Sequence, residues 1–272
     1  MIKSRLILLF LLFWPFAVSA RTVADTPRGE KIITNARMLG IGGVGILDTY
    51  LSPEKYSGTE LRYVSHTVRR REGNRWSRLM VHQGSVSYSD NRSGNGNYVS
   101  GAYTFSYGTH YNWTFLADCM HVRAGAQADL NAGFLYNTRN GNNPAQARLS
   151  LNVSPSAAID YGFTLFGLPF KATYEVSAPL AGIMFSPNYG QSYYEIFTRG
   201  NYDHNAVPTT IVSTPSLRQM LTLDFTLRRT TLRIGWLGDW RQAKVNNLKY
   251  HEYSNMLIIG VVRSFKLTKI IP

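Results

Sequence analysis

The chain has 272 residues, 29 Lys and Arg against 16 Asp and Glu for a formal net charge of +13, and a single cysteine. One thiol excludes an intramolecular disulfide and cannot by itself form a cysteine-based metal site. Past the first twenty residues no uninterrupted apolar run approaches the roughly 20 residues of a spanning helix, so a membrane role for the rest of the chain would need strands.

Lys3 and Arg5 precede an apolar stretch from Leu6 to Val18, and Val18-Ser19-Ala20 offers the small residues at which a signal peptidase cuts. Residues 1–20 are therefore predicted to be a secretory signal peptide, since the stretch is short for a membrane anchor and contains Pro15. Its removal takes two basic residues and no acid, lowering the charge from +13 to +11. Export argues against nucleic acid as the partner. It favours anionic envelope surfaces such as lipopolysaccharide headgroups, with part of the charge at periplasmic turns such as Arg69-Arg70-Arg71 or paired inside a barrel.

Residues 21–35 show no sustained period and read as a periplasmic N-terminal segment; from 36 to 272 the pattern is that of an outer-membrane β-barrel. Ten strands are predicted. The first, about Ala36 to Tyr50, is glycine-rich, which suits curvature or a bulge, and it lacks the lysine and following helix of a phosphate loop. The second runs about Thr59 to Arg70 and the third about Trp76 to Tyr88.

Alternation is clearest from Tyr98 to Phe185. Between Tyr98 and Phe115 the odd positions include Val99, Tyr103, Phe105, Tyr107, Trp113 and Phe115, and the even ones Ser100, Thr104, Ser106 and His110. One face suits lipid and the other water. His121 to Asn137 places Val122, Leu130, Phe134 and Tyr136 against Arg123, Gln127, Asp129 and Asn131. The sixth strand sets Leu149, Leu151, Val153 and Ile159 against Arg148, Asn152, Ser154 and Asp160, with Pro155 at a possible bulge. A turn at Gly167-Leu168 leads to the seventh, with Lys171 and Glu175 inward.

Residues 186–216 break the pattern with three prolines and two glycines. Strands eight and nine form a hairpin about Arg229-Thr230, and the tenth spans about Ser254 to Phe265. Loops at 51–58, 90–97, 138–145, 186–216 and 241–253 are expected on the outer side, with strands longer than the crossing needs forming a raised rim. A twelve-stranded barrel would arise if Ser192–Thr198 and Thr209–Ser213 paired within the long connection.

Around the first strand and loop, Gly40 to Gly58 reads GIGGVGILDTYLSPEKYSG. This resembles an uncharacterised family of exported Bacteroidota proteins, a domain of unknown function, and the resemblance is carried by LDTYLSP, Leu47 to Pro53. It implies an outer-membrane barrel and brings no catalytic residues.

The predicted inward charges are Asp129, Asp160, Glu175, Asp224 and Asp239 against Arg123, Arg148, Lys171, Arg218, Arg228 and Arg233. In a bore of about ten strands such side chains would pair into a lattice that fills the lumen, or line a narrow polar pathway. The expected register sets Asp160 opposite Glu175, two carboxylates that would recruit an arginine or a cation. For enzyme chemistry, no histidine has a serine two residues on, as a lipid acyl hydrolase would need; His82 and Ser85 are three apart. Asp203-His204, with Asp90 or Asp48 across the rim, is the only constellation resembling an omptin-like protease. Nothing points to a metal or cofactor.

The long loop carries Tyr189, Tyr193, Tyr194, Phe197, Arg199, Tyr202, Asp203 and His204, a composition suited to recognition or to packing as a lid over the mouth. The expected role is non-enzymatic: surface recognition, envelope structure, or membership of an outer-membrane assembly with another protein. A narrow channel or an outer-membrane hydrolase is the alternative.

Overall fold

A computed structural model describes residues 30–141 and 143–267. The expected signal peptide and most of the segment after it lie outside the described residues. The strands are β1 (Lys31–Asp48), β2 (Ser52–Arg71), β3 (Trp76–Asn91), β4 (Asn97–Phe115), β5 (Met120–Asn137), β6 (Ala145–Leu165), β7 (Leu168–Ser177), β8 (Ala181–Phe185), β9 (Ala206–Thr210), β10 (Leu217–Leu227), β11 (Thr230–Val245) and β12 (Leu248–Leu267). One short helix, α1, covers Tyr193–Phe197.

Ten of these strands close an antiparallel barrel. The order runs β5-β4-β3-β2-β1-β12-β11-β10-β7-β6, and β5 pairs with β6 to close the ring. The extra pair, β8 and β9, extends two staves rather than widening the barrel: β6 pairs with β7 over Ser156–Leu165 and with β8 over Ser150–Val153. Pro155 stands opposite the break between β7 and β8. Its carbonyl accepts from the Ala178 N–H across that gap, so its missing N–H costs no ladder bond, while register with β5 runs through it without a bulge.

Several boundaries differ from the sequence reading. β1 begins at Lys31, so the described end of the 21–35 segment is strand. The expected outer loop at 51–58 is mostly β2, and that at 241–253 is β11 and β12 joined by Asn246-Asn247, both at positive φ. Asparagine tolerates that conformation, which a two-residue hairpin turn of matching twist requires. The segment 192–198, offered as an extra strand, is α1 with its cap. Serine at the N-cap and glutamate three residues on form a capping box, which satisfies the first N–H groups locally.

Two turns slip by one residue. β6 and β7 meet through Phe166-Gly167, which pairs Leu165 with Leu168. β10 and β11 meet through Arg228-Arg229, so the exposed Arg228 is a turn residue and not a lumenal one.

Alternation decides the two faces. Leu39, Ile41, Leu61, Val86, Leu130, Leu151, Leu221, Ile234, Leu257 and Ile259 project outward as an apolar belt. Near the end carrying the short turns, an aromatic girdle runs Trp76–Tyr111–Trp113 and Tyr161–Phe163–Phe170–Phe225 in ring contact. Belt and girdle are the surface that a bilayer covers, the rings seated at its headgroup level. Inside, Ala36, Met38, Val64, Leu79, Val81, Met220, Leu237, Met256 and Ile258 pack into a small apolar core on the side formed by β1, β2, β3, β10, β11 and β12. Gly42 lets β12 approach there: a Cβ would lie 2.0 Å from the Asn255 carbonyl oxygen.

Candidate functional site

The lumen holds two charged layers with the apolar core between them. Towards the short-turn end, Arg123 joins two carboxylates, with Nη2 3.1 Å from Glu175 and Nη1 3.9 Å from Asp160. Glu175 also meets His66 Nε2 at 3.0 Å. Beside them Arg233 grips Asp224 through two N–H groups at 2.6 and 2.8 Å, with Lys171 at 3.6 Å. The arginine clamp is present, but its geometry differs from the expected one. The Phe166-Gly167 turn sets Asp160 opposite Thr173, whose hydroxyl donates to it at 2.7 Å, and Glu175 opposite Ala158.

Above the apolar core lies the second layer. Arg62 donates to Glu60 and to Asp239 at 2.7 and 2.5 Å, and Arg241 reaches Asp239 at 2.8 Å. Ser254 donates to Glu60. Higher still, Arg148 pairs with Asp48 at 2.5 Å and stacks on the Tyr250 ring, its guanidinium 3.2 Å from the centroid. Asp129 receives hydrogen bonds from Gln127 and Ser154, and Arg218 forms no close ion pair among the described residues, its charge acting on Asp239 and Glu175 at longer range. Buried ion pairs of this kind hold position well, because removing one partner strands the other charge out of water.

Of the eleven residues that sequence reasoning named as inward, Arg123, Asp129, Arg148, Asp160, Lys171, Glu175, Arg218, Asp224, Arg233 and Asp239 line the lumen, and Arg228 does not. That reasoning missed Asp48, Glu60, Arg62, His66 and Arg241. The signal was available in β2, where Tyr56, Glu60, Arg62, Val64 and His66 share a parity opposite to Leu61 and Tyr63. His110, which the alternation had set on the water-facing side, has its Nε2 2.5 Å from Ser156 Oγ, a contact the sequence did not disclose. They meet because Gly125, paired with both, has no side chain between them.

Two cavities flank this filling. A vestibule of about 790 Å³ opens at the short-turn end, with Arg70, Arg75, Asp118 and His121 at its mouth and His66, Arg123, Glu175 and Met220 among its deeper residues. A smaller cavity of about 130 Å³ lies in the upper lumen. No group of three His, Cys, Asp or Glu side chains suited to a metal ion occurs among the described residues.

The outer loop is half anchor and half display. Tyr193 turns inward: its hydroxyl donates to Gln146 Oε1 at 3.0 Å and accepts from the Ala147 N–H at 2.7 Å. Burial pushes that phenol up to about 12. Ile196 is fully buried, and Tyr50 donates to the Gln191 carbonyl at 2.9 Å. Glu195, at the start of α1, is held below its usual range by the Ser192 backbone N–H and then by the Ser192 hydroxyl. By contrast Tyr189, Tyr194, Phe197 and Tyr202 stand in solvent, with Arg199 5.4 Å from the Tyr194 ring centroid. The loop thus has one face packed on the rim and one face in solvent.

The residues weighed for hydrolysis lie apart. His204 meets Asp203 at 2.5 Å on the exposed loop, but Asp48 is engaged by Arg148, and Asp90 accepts from Asn97. His82 is on the outward face against the Tyr103 hydroxyl at 2.6 Å, opposite in parity to Ser85.

The family model described as "Protein of unknown function (DUF3316)" matches residues 5–270. No curated protein matches the chain. Among solved structures it is similar to the outer membrane protease OmpT from Escherichia coli, at 6% identity over 90% of this chain and 99% of that one, TM-score 0.44. It is also similar to the transport unit of the autotransporter AIDA-I from Escherichia coli, at 6% identity over 92% and 93%, TM-score 0.43. The beta domain of the Bordetella autotransporter BrkA aligns at 12% identity over 86% and 99%, TM-score 0.41.

Proposed function

We propose, for a chain that belongs to the family of unknown function DUF3316, a closed outer-membrane barrel that acts by contact at its outer loop rather than by transport or catalysis. The observation that carries this reading is the division within residues 186–216. Tyr193 and Ile196 tie the loop to the rim, so Tyr189, Tyr194, Phe197 and Tyr202 are presented as rings at little cost in ordering. Such rings beside Arg199 suit a protein partner in the same membrane or the anionic headgroups of lipopolysaccharide. Localisation in the outer membrane is supported by the apolar belt, and export by the signal expected at residues 1–20. The resemblance at Leu47 to Pro53 supports a bacterium of the Bacteroidota.

Photo-crosslinking residues placed one at a time at Tyr194, Tyr202 and Tyr193, in intact envelopes, test the reading. Discrete adducts from the first two positions and none from the inward Tyr193 are expected. Absence of adducts from both outward positions in a folded barrel would overturn it.

A further inference from the structure

Five arginines in the lumen, Arg62, Arg123, Arg148, Arg233 and Arg241, each touch a carboxylate. Arg218 does not. Its Nε and Nη2 are buried and have no hydrogen-bond partner. The acid directly across the ladder, Asp239, is already engaged by Arg62 and Arg241. Three staves round the barrel, Asp129 shows the complementary state: a buried carboxylate that receives only neutral donors, Gln127 at 2.7 Å and Ser154 at 2.5 Å. Gln83, 3% exposed, has both its amide nitrogen and its amide oxygen unpartnered.

All three side chains line the same cavity of about 130 Å³. A filled lumen would ordinarily set a buried cation on a buried anion, as it does five times elsewhere in this barrel, because each left alone is costly. Here Arg218 and Asp129 face a shared space without touching, beside Arg148, Arg241 and Asp239, which are already engaged in the ion pairs above. A molecule that satisfies both carries a carboxylate for the Arg218 fork and an ammonium for Asp129, with the Gln83 amide able to donate to the first and accept from the second. Asn131, Asn152 and Ser177 complete a polar lining. A cavity of about 150 Å³ is large enough for benzene, so this space suits a solute of only a few heavy atoms.

We propose that this cavity is a binding site for a compact zwitterion of the size of glycine or alanine. The way in lies at the side, where the staves are interrupted. Pro179, Met184, Thr209, Thr214 and Ser216 wall the cavity at the breaks between β7 and β8 and between β9 and β10. The second break is held to β11 by the Lys244 N–H on the Ser213 carbonyl at 2.9 Å and the Gln242 N–H on Ser216 Oγ at 3.0 Å. Thr209 Oγ1, also buried and unpartnered, faces the site from this wall. The site is independent of the outer loop's role.

The test is calorimetric titration of the full refolded chain in detergent with three probes: glycine, acetate and methylammonium. Glycine is expected to bind saturably, with acetate and methylammonium each about tenfold weaker or more, because each leaves one buried charge unmatched. Arg218→Met and Asp129→Asn are each expected to weaken glycine by a similar factor, with heat-modifiable mobility on a gel confirming the fold. If removal of a charge prevents folding, Gln83→Leu, which removes none, is expected to weaken glycine about tenfold as well. Acetate binding as tightly as glycine, glycine binding unchanged in Gln83→Leu, or no glycine binding to the folded barrel would each overturn the assignment, the last meaning that the cavity holds water only.

Discussion

Arg62 and Asp239 meet at 2.5 Å with 2% and 6% of their side chains exposed, whereas His204 and Asp203 meet at the same distance with 89% and 65% exposed. Geometry is alike in the lumen and in the outer loop; surroundings are not. In the lumen each charge depends on its partner because water cannot replace it, while in the loop water replaces either partner at once. The contrast extends to the rings. Tyr250 and Tyr98 are enclosed and hold the upper lumen together, while Tyr194 and Tyr202 are free to meet something else. Fixed filling in one region and free surface in the other divide the molecule into a part that resists change and a part that makes contact.

The largest way to break the contrast is Arg62→Met, which leaves Glu60 and Asp239 short of a cation. It is expected to cost about 3–5 kcal/mol in the urea unfolding of the refolded barrel, while Asp203→Asn shifts the same midpoint by less than about 0.5 kcal/mol. Next comes Tyr193→Phe, which removes two hydrogen bonds between loop and rim. A cost of about 1–2 kcal/mol is expected, confined to the loop and read as faster amide exchange over 186–205 with the barrel strands unchanged. Tyr202→Ala should leave the unfolding midpoint within about 0.5 kcal/mol of the parent, yet abolish the adduct obtained from a crosslinker at Tyr194.

The smallest effect sharpens the contrast through pH. Glu195 caps α1 with its carboxylate held below the ordinary range by Ser192. Its contribution is complete above the unfolded glutamate value of about 4.3 and is lost as pH falls through the lower folded value. Protease nicking at 192–202 should therefore rise on acidification below that range, and Glu195→Gln should show the looser loop already at neutral pH.

How much of this was readable in the chain depended on whether a strand carries side chains that differ in kind from one face to the other. β4, β5 and β6 alternate Tyr, Leu and Phe with Ser, Asn and Asp, and their faces and inward charges are where the sequence placed them. β1 buries Met38, Val44 and Ile46 while exposing Leu39 and Ile41, so both faces are apolar and neither declares itself. That is why the apolar core escaped notice, whereas the Glu60–Arg62 pair beside it was legible in the parity of β2. Turn residues misplaced by one position had the larger consequence. Register follows the turn, and the slip from Gly167-Leu168 to Phe166-Gly167 separates Asp160 from Glu175 across the ladder. The arginine between them was foreseeable from charge, its geometry was not. The outer loop offered no period at all, and its division into anchor and display depends on contacts with Gln146 and Ala147, 47 and 46 residues away.

Single-channel recording of the refolded barrel in planar bilayers tests the central claim, that the lumen is filled and function lies at the outer loop. A folded, heat-modifiable barrel that stays electrically silent is the expected result, and it should remain silent in Asp160→Asn/Glu175→Gln, because the apolar core from Met38 to Ile258 still closes the bore. Steady conductance whose ion selectivity changes in that double variant would make the lumen a pathway and contradict the account.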